Sequence, residues 1–153
     1  MRFVLVKEFG GEGFVVYTNL GSSKAHQLGE NPYGALAFHW STIGEQVRVE
    51  GHVTGVGDAE ADRYFASRPR GSQLAAWASR QSEAIGSRAD LMAHYGEVER
   101  RFEGASVPRP DFWGGFRLVP ARIEFWSDRA DRLHERTLFE SEGGGWRASL
   151  LAP

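Results

Sequence analysis

The stretch Arg68-Pro69-Arg70-Gly71-Ser72-Gln73 sets two guanidinium groups, a glycine and a hydroxyl just ahead of an expected helix. Free N–H groups at a helix start favour anions, and glycine lets a ligand come close. Arginine adds forked hydrogen bonds to phosphate oxygens. Tyr64 lies one helical turn before Arg68, so both can face the same way. From composition alone, a solvated basic loop with a capping serine explains the motif about equally well. Ser22-Ser23-Lys24 is a second cluster at an expected helix start. Alone it reads as an ordinary N-cap with a surface lysine. Together the two clusters suggest two phosphate sites, as a cofactor and a substrate held at once would need. The third candidate is Arg132-Leu133-His134 with Arg136. Strand alternation would put Arg132, His134 and Arg136 on one face. Two cations and an imidazole could bind an electron-rich ring or take part in proton transfer. An exposed polar strand face fits the same spacing.

Other chemistries lack their residues. The five histidines are scattered, with no His-x-His or His-x-x-x-His pair, so no metal site is expected. There is no Gly-x-Gly-x-x-Gly, no P-loop and no Gly-x-Ser-x-Gly elbow. With no cysteine, disulfides and thiolate chemistry are excluded, which is compatible with a cytoplasmic protein. Net charge is −2, so no global field favours nucleic acid or an anionic membrane. No apolar run reaches transmembrane length. By composition, Trp113 and Trp126 read as core or interface residues rather than ligand contacts.

The elements that must carry these groups are mostly strands. At 153 residues the chain suits a single domain with one main core. Arg2 to Lys7 and Phe14 to Thr18 read as a hairpin around Gly10-Gly11-Glu12-Gly13. A short helix opens at Ser22-Ser23-Lys24 and ends before Asn31-Pro32. Ala35 to Trp40 is a third strand, and Gln46 to Val53 alternates valines with polar residues. Asp58 is placed to cap a helix reaching Ser67, and a further helical stretch covers Gln73 to Ala78. From Ser87, a capped helix carries Leu91, Tyr95, Val98 and Phe102 as one stripe. Gly115 to Val119 and Arg122 to Trp126 read as two strands broken at Pro120. Arg136 to Glu140 and Trp146 to Leu150 form a last hairpin around Gly143-Gly144-Gly145. Six or seven strands without regular helix alternation predict a mostly β, α+β protein, an antiparallel barrel with helical excursions.

Several of these stretches, in this order and spacing, resemble the pyridoxine/pyridoxamine 5′-phosphate oxidase family along essentially the whole chain. They are Arg2 to Lys7, Gly13 to Asn19, Gln46 to Gly51, Tyr64 to Gln73, Trp113 to Arg117, and Arg122 to Trp126 leading to Arg132-Leu133-His134-Glu135-Arg136. The resemblance implies a split β-barrel over residues 1–153 that binds flavin mononucleotide (FMN) between the subunits of a homodimer. About 108–153 would be the family's dimerisation region. It implies flavin contacts from Arg2, Phe3, Val4, Leu5, Val6, Lys7, Tyr17, Thr18, Lys24, Gln46, Gln81, Ser82, Trp126 and Arg136. The substrate phosphate would fall to Lys7, Tyr64, Arg68 and Ser72. Arg132 and His134 would lie against the pyridine ring as the catalytic pair.

The reaction so implied is oxidation at the 4′ carbon of pyridoxine or pyridoxamine 5′-phosphate. Hydride passes to the flavin, dioxygen takes the electrons to give hydrogen peroxide, and pyridoxal 5′-phosphate is the product. A related flavin oxidase acting on another ring, such as a phenazine precursor, is the alternative; a flavin- or pyridoxal-phosphate-binding module without turnover is another. Two departures from the family pattern bear on this. Ser23 stands where the family usually has arginine, which predicts weaker flavin binding. The family also carries several dozen residues ahead of the Arg2–Lys7 strand, including a first barrel strand and a cover for the substrate. The expectation is an open sheet edge and, if the short form is natural, poor oxidation of the vitamin.

Overall fold

A computed structural model describes residues 1–153. Seven antiparallel strands and four helices follow in the order β1 (Val6–Gly10), β2 (Gly13–Asn19), α1 (Ser23–Glu30), β3 (Tyr33–Trp40), β4 (Glu45–Gly55), α2 (Asp58–Ser67), α3 (Arg70–Ala78), α4 (Arg88–Arg101), β5 (Trp113–Ser127), β6 (Glu135–Glu142) and β7 (Gly145–Leu150). The β-rich fold with helical excursions is as expected. No helix is long and apolar enough to cross a membrane.

β5 organises the sheet. The strand order is β1-β2-β5-β4-β3, with β6 pairing both β5 and β7. On one side, β5 pairs its first half with β2 and its second half with β6. Its other side pairs with β4 along nearly its full length. The expected break at Pro120 does not occur. Proline cannot donate to a ladder, so a continuous strand needs a bulge at that point. The bulge lies in β5 at Ala121, which is left unpaired where the register shifts between Glu50 and Gly51 of β4, and Gly51 faces Pro120. A Cβ on Gly51 would lie 1.9 Å from the Val119 carbonyl oxygen, so only glycine fits.

Local chemistry sets the remaining turns. Gly143 and Gly144 both take positive φ (57° and 82°), as a two-residue hairpin joining β6 to β7 requires. The first strand begins at Val6, not Arg2, and residues 1–5 run alongside as irregular chain. α2 is preceded by Gly57 as its cap; Asp58 is its first helical residue, where its charge still suits the helix dipole. Ser87 caps α4 as expected, its Oγ accepting from the Asp90 N–H at 3.1 Å.

Two apolar clusters hold the layers together. Phe65, Leu74, Phe102, Val107 and Trp113 pack α2, α3 and α4 against the start of β5. Tyr95 and Val98 of the expected α4 stripe pack on this cluster. Val49, Val53 and Leu118 form the second, inside the sheet. Only 21 of 153 residues are buried, well short of what one closed core of this size would hide. Phe125, Val119, Ile43, Leu133 and Leu150 are left exposed on strands and turns of the β4–β7 region. An apolar surface of that kind suits a protein partner.

Candidate active site

A cavity of about 570 Å³ lies where β2, α1 and the α2–α3 corner meet the N-terminal segment. β2 contributes Tyr17 and Thr18, α1 contributes Lys24, and α2 contributes Tyr64. Arg68 enters from the α2–α3 corner, and Ser72 from the first turn of α3. Phe3, Val4, Leu5, Lys7 and Gln81 complete this side of the wall. The two basic clusters that the sequence keeps far apart therefore open onto one space.

Arg68 is held against aromatic rings and lacks a polar partner. Its guanidinium lies over the Trp113 ring at 4.8 Å and the Phe65 ring at 5.4 Å. Its Nη1 is buried with no hydrogen-bond partner. Burial pushes the guanidinium down from its ordinary value, against a raising effect of Tyr64. Buried polar groups are almost always satisfied, so a lone N–H on a cavity wall marks a place for an anionic oxygen. The corner itself is fixed by Gln73. Its buried Nε2 donates to the carbonyl oxygens of Phe65 at 2.9 Å and Ala66 at 3.3 Å, closing the end of α2. Arg70, the second arginine of the motif, turns away. It donates to the Ala105 and Phe102 carbonyls beyond α4, so the expected pair of cations is a single one.

Lys24 is a hub with only neutral partners. Its Nζ donates to Thr18 Oγ1, to Gln81 Oε1 at 2.6 Å and to Ser22 Oγ at 3.2 Å. Burial, and then the nearby Arg2, lower its pKa. No carboxylate pairs with it, so this cation too is poised for an external anion. The Ser23 N–H points at Ser82 Oγ at 3.4 Å, and Ser82 takes a positive φ of 75°. Arg2 is exposed and donates to Gln27 at 2.8 Å. Val6 is half-buried in β1 and is not part of the cavity wall.

An aromatic stack forms the back wall. The Tyr17 and Tyr64 rings lie 4.0 Å apart at 10°, and Trp113 is parallel to Tyr17 at 5.5 Å. The Tyr17 hydroxyl donates to Glu8 at 3.1 Å and reaches Glu60 at 3.5 Å. Arg117 in turn grips Glu60 at 2.9 and 3.0 Å. Burial first, and then these carboxylates, push the phenol far up, so Tyr17 stays a neutral donor. Sequence reasoning missed Glu8 and Glu60, because nothing local links them to Tyr17.

A second cavity of about 310 Å³ lies at the other end of β5. Cross-strand register builds it: Gln46 of β4 faces Trp126 of β5, which faces Arg136 of β6. Beneath this row, Glu124 is buried and receives Arg136 at 2.8 and 3.2 Å and Arg48 on its other side. Bonding from Arg136 and then Arg48 holds the Glu124 carboxyl below its usual range, against the opposing effect of burial. The sequence pattern singled out Arg136 but neither Arg48 nor Glu124, and nothing in it linked the three.

The expected strand face of Arg132, His134 and Arg136 is not formed. Only Arg136 is on a strand. Arg132 closes a 3-10 turn, Ala130–Arg132, and both Asp131 and Arg132 have positive φ (55° and 61°). Two left-handed residues in succession break the alternation, and such strain clusters at functional positions. His134 follows this turn, and its ring lies on Trp126 at 4.5 Å. Within one chain, therefore, Gln46, Trp126, Arg136 and His134 form one group. Lys7, Tyr17, Thr18, Lys24, Tyr64, Arg68, Ser72 and Gln81 form another.

Comparison with known proteins supplies a context for this geometry. Residues 1–102 match the family profile described as pyridoxamine 5′-phosphate oxidase. Residues 113–153 match the one described as the pyridoxine 5′-phosphate oxidase C-terminal dimerisation region. A pyridoxine/pyridoxamine 5′-phosphate oxidase of Rubrobacter xylanophilus is 55% identical over 99% of this chain and 70% of its own length. One from Anaeromyxobacter dehalogenans is 54% identical over 100% of this chain and 77% of its own. Among solved structures, PhzG from Burkholderia lata in complex with tetrahydrophenazine-1-carboxylic acid superposes with a TM-score of 0.93 at 29% identity, over 99% of this chain and 74% of that one. A pyridoxamine 5′-phosphate oxidase-related, FMN-binding protein from Nostoc punctiforme shares the fold at a TM-score of 0.76 and 14% identity, over 99% of this chain and 80% of its own.

Proposed function

Because the chain belongs to the pyridoxine/pyridoxamine 5′-phosphate oxidase family, an FMN-dependent oxidoreductase family, we propose that it oxidises pyridoxine or pyridoxamine 5′-phosphate to pyridoxal 5′-phosphate. Dioxygen is the acceptor and hydrogen peroxide a product; with the amine, water hydrolyses the resulting imine and ammonia is released. The observation that carries this reading is the pair of cations, Lys24 and Arg68, that line one cavity with no carboxylate partner. Two phosphoesters with aromatic rings would satisfy both.

The residues fit the cofactor as well as the substrate. Lys24, with Thr18, Gln81, Ser82 and the segment Arg2 to Lys7, would hold FMN, the phosphate falling to Lys24. When bound, FMN supplies the redox chemistry by accepting hydride from the 4′ carbon and passing the electrons to dioxygen. Arg68, Ser72, Tyr64 and Lys7 would hold the substrate phosphate. That anchor is not part of the bonds that change, so its binding energy orients the ring rather than entering the chemistry. Tyr17, locked as a neutral donor by Glu8 and Glu60, keeps the back wall flat.

Gln46, Trp126 and Arg136 would meet the flavin ring from the second subunit of a homodimer, with Arg132 and His134 against the pyridine. Support for this arrangement comes from the exposed apolar residues of the β4–β7 region and from the strand that separates the two groups within one chain. Purified protein should be yellow and should release peroxide with pyridoxamine 5′-phosphate. A flavin-loaded protein that releases none would overturn the assignment.

A second reading has one observation behind it. PhzG superposes closely, and Arg68 would accept a ring carboxylate as readily as a phosphate. Parallel peroxide assays on a reduced phenazine carboxylate and on pyridoxamine 5′-phosphate separate the two readings.

A further inference from the structure

The loop between β5 and β6 contains a contact that neither the sequence pattern nor the family likeness assigns. His134 Nδ1 lies 3.1 Å from Asp128 Oδ1 and 3.2 Å from the backbone nitrogen of Arg129. These contacts exclude each other. Bonding to the carboxylate requires a proton on Nδ1, whereas accepting the Arg129 N–H requires a bare Nδ1. A hydrogen bond to an ionised carboxylate is roughly twice as strong as a neutral one. The Arg129 N–H is exposed and can turn to water.

We propose that Asp128 is a positioning residue that fixes His134 with its proton on Nδ1, so that the bare Nε2 is presented as a hydrogen-bond acceptor. Around the ring, Trp126 packs at 4.5 Å, and Arg129 is occupied by Glu135 at 2.7 Å and by the Asp128 carbonyl. Asp128 is itself placed by the β3–β4 turn. Its N–H donates to the Gly44 carbonyl at 2.8 Å. Gly44, at φ 66°, leaves room for it, since a Cβ there would come within 3.0 Å of the Asp128 Cβ. The carboxylate is thus held by a turn from a different hairpin rather than by its own loop alone.

An acceptor is what a substrate with an amine or hydroxyl at the reacting carbon needs. Each carries an N–H or O–H that a bare Nε2 can receive, and this orients the adjacent C–H for transfer. The link to turnover rests on the placement of His134 at the substrate ring; the Asp128–His134 tie does not.

Ring-labelled ¹⁵N-histidine spectra of the flavin-loaded protein test the tie, with the His134 signals assigned by their loss in His134→Gln. The native protein should show a protonated Nδ1 and a bare Nε2. Asp128→Ala should reverse that pattern and lower kcat about tenfold, leaving KM for pyridoxamine 5′-phosphate within about twofold. Asp128→Glu should restore the native pattern. Unchanged His134 signals in Asp128→Ala overturn the proposal. Reversed signals with unaltered kcat keep the tie and overturn the placement of His134 at the substrate.

Discussion

Arg68 rests its guanidinium on the face of Trp113 at 4.8 Å, while its Nη1 has no hydrogen-bond partner. The ring holds the cation in place without neutralising it. In the free protein this is a cost, because a buried donor is left unsatisfied. Arg68→Met should therefore leave the unfolding free energy of the flavin-free protein unchanged or raise it. The same variant should raise KM for pyridoxamine 5′-phosphate by about 10–100-fold, the equivalent of about 1.5–3 kcal/mol for a charge-assisted contact. The unphosphorylated amine should be hardly affected. Steady-state kinetics on both amines and urea unfolding check the two halves of this prediction.

Flavin affinity should respond at Ser23 and Lys24. Lys24 meets only neutral oxygens, and Ser23, its neighbour at the start of α1, adds no second cation. Ser23→Arg should tighten FMN binding by about 1–3 kcal/mol, and Lys24→Met should weaken it by a similar amount. Riboflavin, which has no phosphate, should sense neither change. Quenching of flavin fluorescence during titration gives the constants; equal effects on FMN and riboflavin would sink the phosphate assignment.

Glu124 should make acid stability depend on the second cavity. Arg136 and then Arg48 depress its folded pKa below the unfolded value. Its contribution is therefore complete above the ordinary glutamate range and fades as pH falls through the lower, folded value. Glu124→Gln should be less stable than the native protein at neutral pH, and the gap should close in acid. Denaturant midpoints from pH 7 down into the acid range check the sign.

Gly51→Ala should be among the most damaging small substitutions in the sheet. The added methyl would strike the Val119 carbonyl, part of the backbone, which cannot swing aside as a side chain does. A loss of about 2–4 kcal/mol is expected from the clash and the disturbed bulge. Gly10→Ala, where nothing lies within 4 Å, is the control. Urea midpoints of the two variants give the comparison.

Local signals made much of this fold legible. The valines of β4 alternate, the α4 stripe has helical spacing, and three glycines mark the last turn. Pro120 misled because its tolerance depends on Gly51, a residue of another strand. Arg70 misled because nothing nearby in sequence shows that the carbonyls beyond α4 claim it. The strand face assigned to Arg132 and His134 failed because two left-handed residues interrupt the period, and neither is glycine. Of the site, the two cation clusters were readable from helix starts. Glu8, Glu60, Glu124 and Asp128 were not, since each acts through a partner brought near only by the folded sheet.

The length of β5 has a consequence for mixed populations. Trp113 lines one cavity and Trp126 the other, with roughly 40 Å of extended strand between them. If a ligand needs both walls, no lone copy can assemble a working centre, and each pair of copies assembles two. Arg68→Met and His134→Gln would then cripple different walls. Refolded together, they should form hybrid pairs in which one centre inherits both lesions and the other inherits none. At substrate concentrations well below the raised KM, two preparations of low activity would thus regain up to half the native turnover per hybrid pair.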